Sequence, residues 1–412
     1  MPEGDGRKDP TAAFRARARA FLEEHARRRR AGDDDFARFR FLGDPSPEGD
    51  AEHVRRCKEW QRTLFDEGWA GIAWPKEYGG RGGTPAEARV FAQEQARFDV
   101  DAGAFAVGIG MVGPTLIAHG TEEQKRRYLP ALLRGDEVWC QLFSEPDAGS
   151  DLAGLRTRAV RDGDEWVVNG QKVWSSGAHH SELGILLART DTDAPKHRGI
   201  TYFVLHMRSP GIEVRPLRQI NGVAHFNEVF LTDVRIPNEN VVGEVNGGWG
   251  VAQTTLGAER ALIGGGGAVG FRDLLRLARD RGRGGDPLLR QRLADAFVRF
   301  EILKYLGRRA QAAQRDGRSA GAEASVLKLA MSRHVSVNGD LALALEGAPA
   351  MLLHGDAPYG GFWQQHFMNQ WGIRIGGGTE QVQRNVIGER VLGLPPEPRP
   401  DKRVPFRELA GS

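Results

Sequence analysis

The chain has 412 residues, 40% of them hydrophobic, so it is long enough to bury a sizeable core and is neither a peptide nor a disordered protein. Its 57 basic and 54 acidic residues leave a formal charge of +3, which gives no general reason to expect a nucleic acid or an acidic membrane as partner. The two cysteines, Cys57 and Cys140, are far apart and match neither a disulfide framework nor a structural zinc site.

The sequence also bears on where the protein works. No stretch approaches the ~20 uninterrupted apolar residues that cross a bilayer, and the start of the chain lacks the apolar segment of a secretory signal. The basic run 27–30 stands before the aspartates 33–35, which predicts a self-neutralised surface. We therefore expect a soluble cytoplasmic protein with no membrane span.

In the first third of the chain, apolar residues recur at helical spacing. The pattern predicts helices over 11–25, 54–67, 86–98 and 122–133, with a loop over 38–50 and a break rich in Gly and Pro over 74–85. We predict that residues 1–137 form an N-terminal helical domain.

Near residue 138 the pattern changes to short β-branched or aromatic runs separated by turns, which is typical of antiparallel strands. The pairs Asp162-Gly163 and Asn169-Gly170 suit tight hairpin turns and separate strands over 157–161, 166–169 and 172–175. Further strands are predicted over 184–189, 200–207, 212–217 and 227–236. We therefore predict a small antiparallel β-barrel domain over residues 138–246.

After Gly248 the helical period returns. Four blocks follow, roughly 249–280, 287–315, 322–347 and 379–391, which is the count and length of a four-helix bundle. The predicted fold class is therefore α+β and mostly helical, ending in a bundle domain over residues 247–412.

Several short patterns in the chain have a structural interpretation. Two sets of glycines match the spelling of the dinucleotide fingerprint GxGxxG: Gly108, Gly110, Gly113 and Gly265, Gly267, Gly270. Neither set lies between a strand and a helix, so we interpret neither as a dinucleotide site. The glycines of the second set would let the backbone approach another helix or a flat ligand closely. The chain has no GxSxG elbow, and His179 and His180 have no cysteine or carboxylate at ligand spacing, so we predict neither a nucleophile triad nor a metal site.

Four motifs occur in a fixed order: WPKEYGG at 74–80, QLFSEPDAGSD at 141–151, NGQKVWSSGA at 169–178 and GTEQVQRN at 378–385. Together they closely resemble the acyl-CoA dehydrogenases, flavoproteins that introduce an α,β double bond into acyl-CoA thioesters. The resemblance covers residues 11–398. It implies the acyl-CoA dehydrogenase fold, FAD as cofactor, and removal of an α-proton together with transfer of a β-hydride to flavin N5.

A flavin needs a flat apolar face, hydrogen-bond donors at its pyrimidine edge and N5, and a place for its pyrophosphate. The resemblance implies one candidate residue for each requirement. The Phe143 backbone and Ser144 would meet the pyrimidine edge, Ser150 the pyrophosphate region and the substrate, Trp174 the isoalloxazine face, and Ser176 the N5 atom.

In this family a neighbouring subunit completes the cofactor site, which implies a homodimer or homotetramer, with a hetero-oligomer as an alternative. The contributing residues would be Thr379 and Gln381 of the Gly-Thr-x-Gln segment and an arginine near the second bundle helix. Arg281 is the first candidate for that arginine, with Arg279 and Arg283 as alternatives, because the sequence RGRGGDPLLRQ departs from the usual pattern. An electron-transferring flavoprotein would accept the electrons.

Dehydrogenation needs a carboxylate that faces the substrate from the side opposite the flavin. In much of the family this glutamate directly precedes Gly-Thr-x-Gln, where this chain has Gly377. In the isovaleryl-CoA and long-chain members it lies on the first long bundle helix before an arginine, as Glu259 and Arg260 do here. We predict Glu259 as the base and Arg260 near the acyl-CoA, with Gly377 leaving room. Glu380 is an alternative base, and an ordinary surface pair is the alternative interpretation of Glu259 and Arg260.

Two other functions stay open at this point. A flavin oxidase or monooxygenase would have the same fold but let the reduced flavin meet oxygen. A non-catalytic subunit of a hetero-oligomer would explain Gly377 as the loss of a base that another chain supplies. The acyl group, bound to CoA or to a carrier protein, is not specified, although the position of Glu259 favours a branched or bulky one.

Overall fold

The computed structural model describes residues 11–29, 46–265, 270–315 and 321–409. Part of the basic and acidic run over 27–35 and Gly267 of the second glycine set lie outside these residues. Most of the predicted loop over 38–50 also lies outside them, and its end, from Pro47, is helical. Among the described residues, no helix is long and apolar enough to cross a membrane.

The first part of the chain is helical, as predicted. Its described α-helices are α1 (Ala12–His25), α2 (Pro47–Asp66), α3 (Pro85–Gln95), α4 (Gly113–His119) and α5 (Glu122–Arg134). Ser46, Thr84 and Thr121 cap the N-termini of α2, α3 and α5 with their side-chain oxygens. Helix α4 was not predicted, because it is short and begins inside a run of small residues.

The middle of the chain forms one seven-stranded sheet of β1 (Trp139–Leu142), β2 (Arg158–Asp162), β3 (Glu165–Lys172), β4 (Leu183–Arg189), β5 (Ile200–His206), β6 (Ile212–Leu217) and β7 (Phe226–Pro237). The strand order is β1-β4-β2-β3-β7-β6, and β5 pairs with β4. Most pairings are antiparallel, but β1 and β2 each pair with β4 in parallel.

One of the two predicted hairpins is present and the other is wrong. Strands β2 and β3 meet at a tight turn where Gly163 has a φ of 63°. Strand β3 continues through Asn169-Gly170 instead of turning, and its pairing with β7 shifts register there. The Asn169 side chain exchanges hydrogen bonds with Asp233, and a Cβ on Gly170 would lie 2.4 Å from Thr157 Oγ1. The Asn-Gly pair therefore marks a β-bulge with a close approach.

The last part of the chain contains more helices than the four predicted blocks. The described helices are α6 (Gly248–Gly265), α7 (Phe271–Asp280), α8 (Pro287–Arg315), α9 (Gly321–Glu346), α10 (Phe362–Ile375) and α11 (Glu380–Val386). The first block contains both α6 and α7. Helix α10 was missed because its apolar residues are not confined to one face, so helical periodicity is weak there.

Helix α6 is fixed to both other parts of the molecule by buried hydroxyl groups. Thr255 Oγ1 of α6 lies 2.9 Å from Thr115 Oγ1 of α4 and 3.2 Å from the Tyr202 hydroxyl of β5. All three residues are buried, so their hydrogen bonds are made within the protein and not with water. This anchor lies one helical turn before Glu259.

The first glycine set lies where helices pack tightly. A Cβ on Gly108 would lie 2.6 Å from Leu132, and one on Gly113 would lie 2.1 Å from the ring of Trp74. Trp74 belongs to the WPKEYGG motif and is itself buried. These glycines are therefore explained by close packing.

We expect Gly113→Ala to destabilise the protein by about 1–3 kcal/mol, because the buried Trp74 ring must move to admit a methyl group. Gly250→Ala is the matched control, since Gly250 lies in α6 with nothing within 4 Å of its added Cβ. The control is expected to gain up to about 1 kcal/mol from helix propensity. Thermal unfolding measures both changes. Equal midpoints for Gly113→Ala and wild type would show that the ring is free to move.

A buried histidine of α10 predicts a loss of stability in acid. Burial lowers the pKa of His366 to about 4, and its Nε2 has no hydrogen-bond partner among the described residues. An unfolded histidine titrates near 6.5, so the unfolded chain takes up a proton that the folded chain excludes. The free energy of unfolding is therefore at its full value above about pH 6.5 and decreases as the pH falls toward about 4.

We therefore expect His366→Phe to resemble wild type near about pH 7.5 and to be more stable by about 1–2 kcal/mol near about pH 5. Phenylalanine keeps the ring that stacks on Phe362 and removes the titrating group. Thermal midpoints at the two pH values measure the effect, with the exposed His206→Phe as control. If the thermal midpoint of His366→Phe changes between the two pH values by as much as that of wild type, the prediction is wrong.

Candidate active site

Two of the four motifs meet beside the sheet. The backbone N–H of Val173 donates to the carbonyl of Ser144 at 2.9 Å, which joins the segment after β3 to the segment after β1. The Ser175 N–H donates to the Asn227 carbonyl at 3.0 Å, and the Gly177 N–H donates to the His225 carbonyl at 3.0 Å. Hence the predicted residues from Phe143 to Ser150 and from Trp174 to Ser176 belong to adjacent segments.

A buried ion pair lies underneath these segments. Lys172 Nζ lies 2.8 Å from Glu145 Oε1 and donates to the carbonyl of Phe143 at 3.0 Å. The Glu145 carboxylate also accepts the backbone N–H groups of Arg156 at 2.6 Å and Thr157 at 2.9 Å. Burial opposes the charge of Glu145, but Lys172 and these hydrogen bonds outweigh it and hold the pKa of Glu145 below its ordinary value. The pair was not predicted, although both residues lie within the quoted motifs.

The surface above this pair is open. The Trp174 side chain is 60% exposed on a residue with a φ of 63°, while its neighbours Val173 and Ser175 are buried. The edge of its ring packs against Phe226, with centroids 5.9 Å apart. A Cβ added to Gly149 or Gly177 would meet nothing within 4 Å. An exposed indole beside open backbone fits a large flat ligand such as a flavin.

Glu259 lies on α6 and faces the motif QLFSEPDAGSD at 141–151. Its half-buried carboxylate lies beside the side chain of Gln141 on β1 and the backbone of Gly377, and both favour its charged form. Burial raises the pKa of Glu259, and these two groups and the charge of Arg260 only partly offset that effect. The structure thus places Gly377 next to Glu259. It also places there Gln141, a motif residue whose role the sequence did not indicate.

The alternative base is held elsewhere. Glu380 is buried and forms an ion pair with Arg374 at 3.1 Å, and it lies 3.8 Å from Arg384. Two arginine side chains thus engage the Glu380 carboxylate. Arg260, by contrast, is half-buried beside Glu259 and near Arg390.

The residues predicted to reach a neighbouring subunit lie at two places. Thr379 caps α11, with its hydroxyl accepting the Val382 N–H at 3.2 Å, and Gln381 is exposed in the first turn of that helix. Both follow shortly after Gly377 in the chain. Arg281 ends α7 in another part of the bundle, where its charge acts on Glu346 and Tyr359.

A histidine cluster forms where α2 meets the turn after Trp174. Asp50 Oδ2 lies 2.9 Å from His179 Nε2 and 2.8 Å from His180 Nε2, and the three side chains have the composition of a metal-ligand set. The two histidines outweigh the effect of burial and lower the pKa of Asp50. The sequence offered no carboxylate at ligand spacing, because Asp50 is 129 residues away from His179. The cluster ties the start of α2 to the candidate flavin segment.

Comparison with known proteins gives matches along the whole described fold. Models of the N-terminal, middle and C-terminal domains of acyl-CoA dehydrogenase match residues 9–136, 140–234 and 246–392. The acyl-CoA dehydrogenase IpdE1 of Mycobacterium tuberculosis is 39% identical over 393 residues, which are 93% of this chain and 98% of IpdE1.

The chain belongs to the acyl-CoA dehydrogenase family. This confirms the family resemblance, the predicted fold class and the general reaction, so the protein is a flavoprotein oxidoreductase acting on acyl-CoA thioesters. The acyl-CoA dehydrogenase FadE34 of M. tuberculosis is 43% identical over 81% of this chain, but the match covers 46% of FadE34. The dehydrogenase therefore spans about half the length of that relative.

Solved structures of this family have the same architecture. A structure named "Tcur3481-Tcur3483 steroid ACAD" is 32% identical and superposes with a TM-score of 0.78. The match covers 95% of the dehydrogenase and 99% of that chain.

Proposed function

We propose that this dehydrogenase uses FAD to oxidise a bulky, steroid-like acyl-CoA thioester, with Glu259 as the base. The position of Glu259 carries the proposal: a half-buried carboxylate faces Gln141 and Gly377, next to the segments that suit a flavin. The division into domains at residues 1–137, 138–246 and 247–412 is part of the same proposal, and the family matches change near those positions.

The cofactor site is assigned to the two adjacent motif segments. When bound, FAD supplies the acceptor for the hydride that leaves the β-carbon. Phe143 and Ser144 would hold the pyrimidine edge, Trp174 would cover the ring face, and Ser176 would donate to N5. Ser150 would lie by the pyrophosphate and the substrate. The exposed Trp174 ring and the open space at Gly149 and Gly177 support this assignment.

Glu259 would take the α-proton. Burial raises the pKa of its carboxyl group, which makes the ionised carboxylate a stronger base at neutral pH. Gln141 and the Gly377 backbone lie beside the carboxylate and would orient it toward the substrate. Arg260 would place a positive charge near the acyl-CoA.

The nature of the acyl group is inferred from the solved structure and from the glycine turn. The structure at 32% identity over 95% of this chain is titled a steroid ACAD. Gly377 contributes no side chain beside Glu259, which would leave space for a bulky group. Both observations favour a ring-bearing acyl chain over a short straight one.

Exposed apolar side chains support association with further subunits. Helix α8 exposes five of them, between 46% and 78% of each: Leu288, Phe297, Val298, Ile302 and Tyr305. Arg281, Thr379 and Gln381 would reach the FAD of the neighbouring subunit. Electrons would pass to an electron-transferring flavoprotein.

Anaerobic bleaching of the flavin band by a panel of CoA thioesters tests the proposal. The panel contains a steroid side-chain thioester, isovaleryl-CoA and a straight medium-chain thioester, and we expect the first to bleach fastest. Fast bleaching by the straight chain alone would overturn the substrate class. Rapid reoxidation in air would indicate an oxidase. Bleaching that needs a second protein chain would indicate a non-catalytic subunit, and light scattering gives the oligomeric state.

A further inference from the structure

Lys328 is a buried lysine to which the reaction described above gives no role. It lies on α9, its side chain is fully buried, and its Nζ donates to the carbonyl of Gly378 at 2.6 Å and to that of Arg374 at 3.3 Å. Among the described residues, no carboxylate lies within ion-pair distance of Nζ. Because an ammonium group loses its hydration on burial, the carbonyl groups must replace the water. These hydrogen bonds therefore hold the two carbonyl groups in place as well as the lysine side chain.

One of these carbonyl groups, that of Gly378, belongs to a turn of three glycines, residues 376–378, which we call the triglycine turn, and the other, that of Arg374, lies at the end of α10. Gly377 and Gly378 have φ values of 66° and 90°, in the left-handed region that favours glycine. The Gln383 side-chain amide donates to the Gly377 carbonyl at 2.8 Å. Lys328 and Gln383 thus hold the carbonyl side of the triglycine turn from two helices.

The other side of the triglycine turn faces the base. The backbone of Gly377 lies beside the Glu259 carboxylate and lowers its pKa, although the two residues are far apart in sequence. A turn of glycines has high conformational freedom, so this alignment needs external contacts to persist. Lys328 and Gln383 are the contacts that the structure provides.

We propose that Lys328 is a positioning residue: its ammonium group holds the triglycine turn in the shape that presents the Gly377 amide to Glu259. The proposal rests on the proposed role of Glu259 as base. Lys328 acts through the backbone and does not touch the reacting atoms.

The charge of Lys328 adds a second effect on the same carboxylate. The charged groups facing Glu259 are Arg260 on its own helix and Lys328 on α9, while Glu380 of α11 faces Lys328. Both cations lower the pKa of Glu259 and partly offset the effect of burial. Loss of Lys328 therefore removes both a positive charge and the alignment of the Gly377 amide, and each loss makes Glu259 easier to protonate.

The test compares Lys328→Met with Lys304→Met, an exposed lysine on α8, in the FAD-loaded enzyme. We expect Lys328→Met to retain FAD and to be reduced by substrate about tenfold more slowly. The acid limb of its kcat/KM profile should move up by about one pH unit. Lys304→Met should match wild type in both respects.

Gln383→Leu provides a second variant that leaves the charge of Lys328 in place. We expect it to be slower than wild type with a smaller movement of the acid limb, because only the alignment is lost. A wild-type rate and profile in loaded Lys328→Met would overturn the proposal. If Lys328→Met does not fold, a wild-type rate and profile in Gln383→Leu would overturn it.

Glu259→Gln separates this proposal from the assignment of the base. If Glu259→Gln is reduced as fast as wild type, the base is wrong, and the positioning role falls with it. If Glu259→Gln is inactive while Lys328→Met matches wild type in rate and profile, only the positioning role is wrong.

Discussion

Glu259→Gln is expected to slow reduction of the bound flavin by the acyl-CoA thioester by about 10²–10⁴-fold, because an amide cannot accept the α-proton. Glutamine has the same shape as glutamate, so the packing of α6 against α4 and β5 through Thr255 is retained. FAD loading and the thermal midpoint should therefore match wild type. Anaerobic stopped-flow absorbance of the flavin band measures the rate.

Glu244→Gln is the control for this variant, since Glu244 is an exposed glutamate shortly before α6. It should be reduced at the wild-type rate. A loaded and folded Glu259→Gln enzyme that is reduced as fast as the control would show that the base lies elsewhere in the protein.

Lys172→Met is expected to destabilise the protein by about 3–5 kcal/mol, because it leaves the buried carboxylate of Glu145 without its cation. The carbonyl of Phe143 also loses its donor. Since this pair supports the segments assigned to the flavin, we expect the variant to lose FAD. Thermal unfolding and the ratio of flavin to protein absorbance measure the two effects.

The double variant Lys172→Met with Glu145→Gln tests the cause. Removal of both charges eliminates the unpaired carboxylate, so the double variant should be more stable than Lys172→Met alone. If the double variant loses as much stability as the two single variants together, the ion pair does not account for the effect of Lys172→Met.

Local patterns predicted much of the fold. The amphipathic helices α1, α2, α3 and α5 and the β2–β3 hairpin each have a periodicity or turn signal within a short window. Asn169-Gly170 has the same local signal as a hairpin, but its conformation depends on β7, which pairs with both sides of it. Helix α10 is apolar on more than one face, so its packing, and not its sequence period, defines it.

The candidate site was predictable where family motifs name its residues and not where folding brings distant residues together. Glu259 and Gly377 were paired in advance because the missing glutamate at Gly377 required another base. Lys328 is one of several charged residues of α9, so nothing in the sequence distinguished it or gave its partner. Asp50 could not be matched to His179 without the fold.

The contact between Glu259 and Gly377 also bears on how such enzymes diverge. A glutamate at position 377 would bring a second carboxylate to the same spot, where like charges raise each other's pKa and one must stay protonated. It would also be strained in the left-handed backbone of Gly377, which has a φ of 66°. The two locations for the base therefore exclude each other. A lineage that moves the base from one to the other must lose one glutamate and reshape the turn, which favours two separate and persistent branches.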